Sequence, residues 1–216
     1  MITCGIDPGK QGAIAFISEG VRPLHIVLLK DLVGKNKKYD EALIWNAFLP
    51  FAPQRSRLEG FTAQARALCE RAIRATEDDG DDDEFWAARE GMAALLSLDR
   101  SMSTETVHHT VLEEQRAMPT DGKAGIFTVG MGYGILRATL RGQNIPFQVL
   151  TPARWQKLLG LANIPKDKRK ARHIQMAQDL FPGVEQLERR NPLDGVADAL
   201  LMARAAWILT RQGMDE

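Results

Sequence analysis

Three short apolar segments open the sequence, and only a few residues separate each from the next. They occupy residues 2–6, 13–17 and 25–29. Pro8-Gly9 lies in the first connection and Ser18-Glu19-Gly20 forms the second. Apolar segments of this length bounded by turn residues are typical of β-strands, and connections this short join antiparallel neighbours. The start of the chain therefore predicts an antiparallel three-stranded meander.

Strand and helix patterns alternate in the second half of the sequence. The spacing of apolar residues predicts strands at 106–112 and 146–150, and helices at 126–140, from near Pro152, at 166–180 and from 194 to about 211. Strands first in a meander and then in alternation with helices predict an α/β fold with a mixed central sheet flanked by helices.

The region between these halves, residues 31–105, has no strand pattern. We predict a loop at 34–38 and helices at 41–48, 61–74 and 85–98. Residues 77–84 carry seven acids and no base, which is typical of a solvated loop. We therefore expect a single domain over residues 1–216, with a helical and acidic insert at about 31–105.

The positive charges also cluster, although the net charge of the chain is zero. A zero net charge by itself argues against nucleic acid as a partner. Between Thr151 and Ile174, however, there are seven bases and one acid, Asp167. This segment is either a solvated helix face or a phosphate-binding surface.

Several classes of protein are disfavoured by simple features of the sequence. No apolar run approaches the length of a membrane span, and the N-terminus has no signal-peptide pattern. We expect a cytoplasmic protein that does not contact membranes. Cys4 lies in an apolar strand, where a buried reduced thiol is expected. The four histidines have no spacing that indicates a zinc site.

Acidic residues stand at the ends of two predicted strands. Asp7 follows the first strand and precedes Pro8-Gly9, so its carboxylate either shapes a turn or projects from the strand end. Glu113 and Glu114 follow the strand at 106–112. Because side chains alternate across a strand, only one of these two glutamates can face a given site.

Asp194 and Asp198 are four residues apart at the start of the last helix. This spacing places both carboxylates on one helical face, where like charges repel unless a cation lies between them. A first-turn or capping role explains Asp194 alone, but Asp198 lies deeper, among apolar residues. Two-metal phosphodiester cleavage needs several carboxylates that converge in this way.

The acid-bearing motifs resemble those of RuvC-type Holliday junction resolvases of the RNase H-like superfamily, in particular phage-type members. The resemblance covers about residues 1–29 and 106–211. The last two aspartates are three residues apart in cellular RuvC proteins and four residues apart here. Either spacing keeps both acids on one helical face. The matching segments are Gly5-Ile6-Asp7-Pro8-Gly9, Leu112-Glu113 with Ala117-Met118-Pro119, residues 127–134, Thr151-Pro152, Trp155-Gln156-Lys157, Leu180-Phe181-Pro182 and residues 194–201.

The resemblance implies an RNase H-like nuclease with Asp7, Glu113, Asp194 and Asp198 as catalytic and metal-binding residues. It selects Glu113 over Glu114. It implies two Mg²⁺ or Mn²⁺ ions per active site, one to activate a water for in-line attack and one to stabilise the departing 3′ oxygen. A homodimer would then resolve four-way junctions in DNA recombination and repair, leaving 5′-phosphate and 3′-hydroxyl ends.

The basic segment then becomes the candidate DNA-binding surface. Local basic excess beside the predicted carboxylates favours phosphate contact over a solvated face. The residues concerned are Lys166, Lys168, Arg169, Lys170 and Arg172. No role is assigned to the aromatic residues Trp155 and Tyr133, which are more typical of a core.

Two other functions remain open. Gly5-Ile6-Asp7-Pro8-Gly9 also resembles the first phosphate loop of actin-like ATP-binding phosphotransferases, although those proteins need a second lobe and a second glycine-rich loop. A noncatalytic junction-binding protein is the other alternative, but such a protein would be expected to have lost some of the four acids.

Overall fold

The computed structural model describes residues 1–9, 11–33, 39–52, 106–116 and 122–213. Within these ranges the chain forms one five-stranded sheet and six α-helices, with 3₁₀ turns at Leu29–Leu32 and Leu49–Phe51. The strands are β1 (Ile2–Ile6), β2 (Ala13–Ser18), β3 (Arg22–Leu28), β4 (Val107–Glu113) and β5 (Phe147–Leu150). The helices are α1 (Glu41–Phe48), α2 (Lys123–Gly142), α3 (Pro152–Leu158), α4 (Lys166–Leu180), α5 (Glu185–Glu188) and α6 (Asp194–Gln212).

The sheet is mixed, with the strand order β3-β2-β1-β4-β5. Strands β1, β2 and β3 pair antiparallel, which confirms the predicted meander. Strands β4 and β5 then extend the sheet in parallel with β1. The carboxyl ends of β1, β4 and β5 therefore meet at one edge, and this edge carries the residues that follow each strand.

The third strand begins earlier than predicted, at Arg22 rather than at residue 25. Pro23 obscured this start in the sequence, because proline cannot donate to a ladder and normally argues against a strand. The structure accommodates Pro23 on an edge strand, opposite Ile17 and beside a register shift between Phe16 and Ile17. Edge positions and bulges are where a strand tolerates proline.

Alternate residues of β1 face two separate apolar layers. Ile2, Cys4 and Ile6 belong to the layer that includes residues of α1 and α2. On the opposite face the Thr3 hydroxyl donates to the Ala203 carbonyl of α6 at 2.9 Å. Cys4 is buried and forms no disulfide, as predicted. The sheet is thus covered on both faces, with α6 packed directly on β1.

Helix α6 approaches the sheet at backbone contact distance. A Cβ atom at Gly5 would lie 2.0 Å from the Ala199 carbonyl oxygen, and one at Gly195 would lie 2.1 Å from the carbonyl oxygen of Gln11. Only glycine at these two positions allows the helix to come so close to β1 and to the turn that follows it. This approach brings the start of α6 to the edge at which β1 ends.

Part of the insert predicted at about 31–105 is described. The predicted helix at 41–48 is confirmed as α1, whose N-terminus is capped by the Asp40 carboxylate through the amides of Ala42 and Leu43, at 3.0 and 3.1 Å. The loop predicted at 34–38, the helices predicted at 61–74 and 85–98 and the acidic run lie outside the described residues. None of the described helices is long and apolar enough to span a membrane.

Candidate active site

Asp7 lies immediately after β1, at the carboxyl edge of the sheet. Its amide donates to the Ala13 carbonyl at 3.0 Å, and its Oδ1 accepts a hydrogen bond from the Gly9 amide at 2.9 Å. The turn interpretation of Asp7 is therefore correct, and the carboxylate also faces other acids. Burial raises its pKa from 3.8 to about 6, the Gly9 amide opposes this increase, and the charges of Asp198 and Asp194 add to it.

Glu113 is the last residue of β4 and lies beside Asp7. Ile6 of β1 pairs with Leu112 of β4, so the next residue on each strand reaches the same edge. The indole Nε1 of Trp155 donates to Glu113 Oε2 at 2.8 Å. Burial raises the pKa of Glu113 from 4.5 to about 7, the Trp155 hydrogen bond lowers it, and the charges of Asp7 and Asp198 raise it.

Glu114 is directed to a different partner from that of Glu113. Its Oε2 accepts a hydrogen bond from the Arg116 guanidinium at 2.9 Å, and both side chains have solvent contact. This separation of the two glutamates agrees with the alternation of side chains along a strand.

The two aspartates of α6 lie in its first and second turns, and each contacts a side chain of α4. Asp194 forms an ion pair with the Lys170 ammonium. Asp198 Oδ1 lies 2.7 Å from Nδ1 of the buried His173. The hydrogen bond to Asp194 and the charge of its carboxylate raise the pKa of Lys170.

Electrostatic interactions join the four predicted acids into one group. Asp7 interacts with both Asp194 and Asp198, and Glu113 interacts with Asp7 and Asp198. The folded chain therefore brings together carboxylates from its beginning, its middle and its end. Their mutual repulsion makes this edge of the sheet favourable for a cation.

The donor set suits a divalent metal ion, although the side chains are not arranged around one. Carboxylate oxygens are the ligands that Mg²⁺ and Mn²⁺ prefer. Among the described residues, no group of three or more His, Cys, Asp or Glu side chains converges in a geometry that could hold a metal ion. The ion pair of Asp194 with Lys170 competes with such convergence.

The predicted DNA-binding residues lie in the first two turns of α4, and they do not form a uniform surface. Four are exposed: Lys166, Lys168, Lys170 and Arg172. Arg169 is half-buried, and one of its terminal nitrogens lies 3.4 Å from the Ile164 carbonyl oxygen. The structure thus separates Arg169 from its neighbours and turns Lys170 to the acid group.

Three residues of the site were not identified from the sequence. Trp155 was assigned no role and His173 was considered only as a possible zinc ligand, yet they contact Glu113 and Asp198. Tyr39 belongs to the insert. Burial raises the pKa of Tyr39, and the negative charge of Asp7 raises it further. The side-chain donors of Trp155 and His173 were visible in the sequence, but their partners depend on how α3 and α4 dock.

The mixed sheet, its order and its covering helices define an RNase H-like α/β fold. The fold is shared with a structure of RuvC from Thermus thermophilus, with a TM-score of 0.51 at 16% sequence identity over 99% of this chain and 97% of that one. A structure of T. thermophilus RuvC in complex with Holliday junction substrate aligns over the same shares of the two chains, with 15% identity and a TM-score of 0.47. No protein-family model matches the sequence, and no significant match was found among curated proteins.

Proposed function

We propose that the chain is a metal-dependent endonuclease that resolves four-way DNA junctions. The observation that supports this function is the group formed by Asp7, Glu113, Asp194 and Asp198 at one edge of an RNase H-like sheet. A structural protein would gain nothing from such a group, because partly buried like charges destabilise the fold unless a cation compensates them.

The four carboxylates would hold two Mg²⁺ or Mn²⁺ ions, which when bound supply Lewis-acid stabilisation of the phosphate and an activated water. The residues around the acids hold them in place. The Gly9 amide orients Asp7, the Trp155 indole orients Glu113, and the His173 ring orients Asp198. Hydrogen bonds of this kind fix a ligand's rotamer before the ion arrives.

The exposed cations of α4 would bind the DNA backbone next to the acids. Lys166, Lys168 and Arg172 are exposed on the helix whose Lys170 contacts Asp194. Phosphate contacts of this type provide affinity and position without reading sequence, and they weaken as salt increases. Cleavage would leave 5′-phosphate and 3′-hydroxyl ends, as the resemblance to RuvC-type resolvases implies.

A homodimer would place two such sites on the two-fold symmetric junction. The start of α2 offers exposed apolar side chains for this contact, since Ile126 is 39% and Phe127 is 69% exposed. Exposed apolar residues that are adjacent often mark protein interfaces. Light scattering of the wild type and of Phe127→Glu tests this, and equal masses for the two proteins would remove α2 as the contact surface.

The function is tested by cleavage of end-labelled DNA in the presence and absence of Mg²⁺. We expect the wild type to nick four-way junctions in symmetric pairs and to leave linear duplexes of the same sequence intact. Asp7→Asn should abolish cleavage, because it removes a charge while keeping the side chain's shape and its acceptor for Gly9. Asp31→Asn, at an exposed acid outside the group, is the matched control and should cleave normally.

Three results would contradict the proposal. Undiminished cleavage by Asp7→Asn would exclude Asp7 from the mechanism. Tight junction binding without cleavage in any divalent ion would favour the noncatalytic junction-binding alternative, and calorimetric binding of ATP would favour the phosphotransferase.

A further inference from the structure

Tyr39 is held at the carboxyl edge of the sheet by backbone contacts on both sides of the residue. The 3₁₀ turn after β3 starts at this edge, because the Leu29 amide donates to the carbonyl of Gly12, in the turn after β1, at 3.0 Å. Tyr39 forms a β-bridge with Val33, at the end of that 3₁₀ turn. The next residue, Asp40, caps α1. The position of Tyr39 is therefore fixed relative to the turn that carries Asp7.

The phenol ring of Tyr39 is fixed by α2, whereas its hydroxyl is not engaged. A Cβ atom at Gly132 would lie 2.3 Å from Tyr39 Cε2, so the ring lies against the backbone of α2. The ring also packs on the apolar layer that contains residues of α1 and α2. Among the described residues no hydrogen bond engages the hydroxyl, and its oxygen is not buried. The hydroxyl is therefore available to a partner from solvent.

The hydroxyl lies within electrostatic reach of the acid group. Burial raises the pKa of Tyr39 above its ordinary value of 10.0, and the negative charge of Asp7 raises it further. The phenol is therefore a neutral hydrogen-bond donor at neutral pH. It differs in this from the Lys170 ammonium, which pairs with Asp194, because a hydroxyl brings no positive charge that would repel a metal ion.

Tyr39 and the cations of α4 approach the acids from opposite faces of the sheet. Helix α4 packs with α6 in one apolar layer, and Tyr39 packs against the other. A phosphate held at the acid group would therefore meet α4 on one side and the phenol on the other. Donors on both sides offset the repulsion between the phosphate and the carboxylates.

We propose that the Tyr39 hydroxyl donates a hydrogen bond to a non-bridging oxygen of the cleaved phosphate. The proposal rests on the nuclease function proposed above. During hydrolysis the attacking water forms the new P–O bond, the bond to the 3′ oxygen breaks, and Tyr39 keeps its proton. A donor already aimed at oxygens on which negative charge develops stabilises the transition state more than the ground state. Tyr39 is thus a catalytic residue supplied by the insert, onto which the resemblance does not extend.

The first test compares the wild type with Tyr39→Phe, which keeps the ring against α2 and removes only the hydroxyl. In single-turnover cleavage of a four-way junction in Mg²⁺, the rate constant at saturating protein should fall roughly 10- to 150-fold, the range for a hydrogen bond to a charged group. Junction affinity in EDTA should change less than about twofold, and the Tm should not change. The matched control is Tyr133→Phe at the chain's other tyrosine, whose phenol is near Glu114, and it should cleave like the wild type.

Sulfur substitution at the cleaved phosphate separates a direct contact from structural support. Each of two junctions carries sulfur in place of one non-bridging oxygen, and both proteins are assayed on both. Sulfur accepts hydrogen bonds more weakly than oxygen. The rates of the wild type and Tyr39→Phe should therefore approach within about threefold on one of these junctions and keep the full difference on the other. Because the comparison is a ratio between two proteins, the effect of sulfur on the metals cancels.

A second variant moves the phenol without removing it. Gly132→Ala adds a Cβ that must displace the Tyr39 ring. It should slow cleavage by the wild type severalfold but should not slow Tyr39→Phe further, because the contact is already absent there. Additive losses in the double variant would contradict a shared contact.

The outcomes distinguish the Tyr39 contact from the nuclease function. If the wild type and Tyr39→Phe cleave at the same rate, the Tyr39 proposal is wrong and the nuclease proposal stands. An equal ratio of the two rates on all three substrates would make Tyr39 a structural residue and would overturn the contact. Weaker binding with an unchanged rate at saturating protein would place the hydroxyl on a different phosphate, which also overturns it. If the wild type cleaves no junction, both proposals fail.

Discussion

Neutralising Asp7 should stabilise the protein in the absence of divalent ions, although it removes a residue of the candidate active site. The carboxylate is partly buried and lies near two further acids, Asp194 and Asp198, so ionising it is unfavourable in the folded state. Asp7→Asn removes this charge. The asparagine Oδ1 can still accept the hydrogen bond from Gly9, which Asp7 accepts at 2.9 Å.

The magnitude follows from the difference between the folded and unfolded pKa values of Asp7, about 6 and 3.8. From pH 3.8 upward the unfolded chain releases a proton that the folded chain retains, so the folded state loses stability until the pH exceeds about 6. The full difference corresponds to about 3 kcal/mol at pH 8. Because the carboxylate retains some solvent contact, we expect about 1 to 2 kcal/mol, or ~3–6 °C in Tm.

The assay is thermal unfolding at pH 8 and at pH 4, in EDTA and in Mg²⁺. In EDTA, Asp7→Asn should exceed the wild type in Tm at pH 8 and lose most of that advantage at pH 4. Adding Mg²⁺ should raise the Tm of the wild type more than that of the variant, because binding to the folded state alone stabilises it. Asp31→Asn should follow the wild type throughout.

A Tm for Asp7→Asn that is equal to or below that of the wild type at pH 8 in EDTA would refute the electrostatic reasoning. Equal stabilisation of both proteins by Mg²⁺ would leave that reasoning intact but would exclude Asp7 as a ligand.

Three more substitutions, the last with a matched control, probe the site and the packing that supports it. Trp155→Phe removes the hydrogen-bond donor that lowers the pKa of Glu113. Because less of Glu113 is then ionised at pH 7, cleavage at that pH should fall by up to about tenfold and recover by pH 9. A pH–rate profile identical to that of the wild type would exclude this role. Lys170→Met removes the ammonium that pairs with Asp194, so calorimetry should show Mn²⁺ binding roughly two- to fivefold tighter than in the wild type. Weaker binding would instead make Lys170 a group that positions Asp194. Gly5→Ala places a Cβ 2.0 Å from a backbone oxygen of α6 and should lower the free energy of unfolding in urea by about 3 kcal/mol or more. The control Gly130→Ala adds a Cβ that meets nothing within 4 Å and should be neutral or stabilising. Equal stability of the two variants would contradict the close packing.

The elements that carry the acids could be predicted from the sequence because each has a strong local pattern. The helix predicted at 166–180 has the observed bounds of α4, and the strand at 106–112 differs from β4 by one residue at each end. Asp7 and Glu113 stand at strand ends, and parallel pairing of β1 with β4 is enough to bring them together. For these acids, local sequence and simple topology determine the position.

The contacts of the acids could not be predicted in this way, because they depend on the packing of helices. Trp155 reaches Glu113 only after α3 has docked beside the end of β4. His173 and Lys170 reach the aspartates of α6 only because α4 packs against that helix with this face inward. Helix spacing predicts which residues share a face, but not which neighbour that face will contact.

The packing of α6 also explains why its two aspartates are four residues apart. A spacing of three or four keeps two acids on one face, so helical periodicity does not choose between the two spacings. In this chain, an acid three residues after Asp194 would replace Ala197, which is fully buried in the core. An acid three residues before Asp198 would replace Gly195, where a Cβ would lie 2.1 Å from a backbone oxygen of Gln11. Burial of Ala197 and the close approach at Gly195 therefore exclude a three-residue spacing that keeps either aspartate. The pair at 194 and 198 lets this helix pack on the sheet and still present two carboxylates to Asp7.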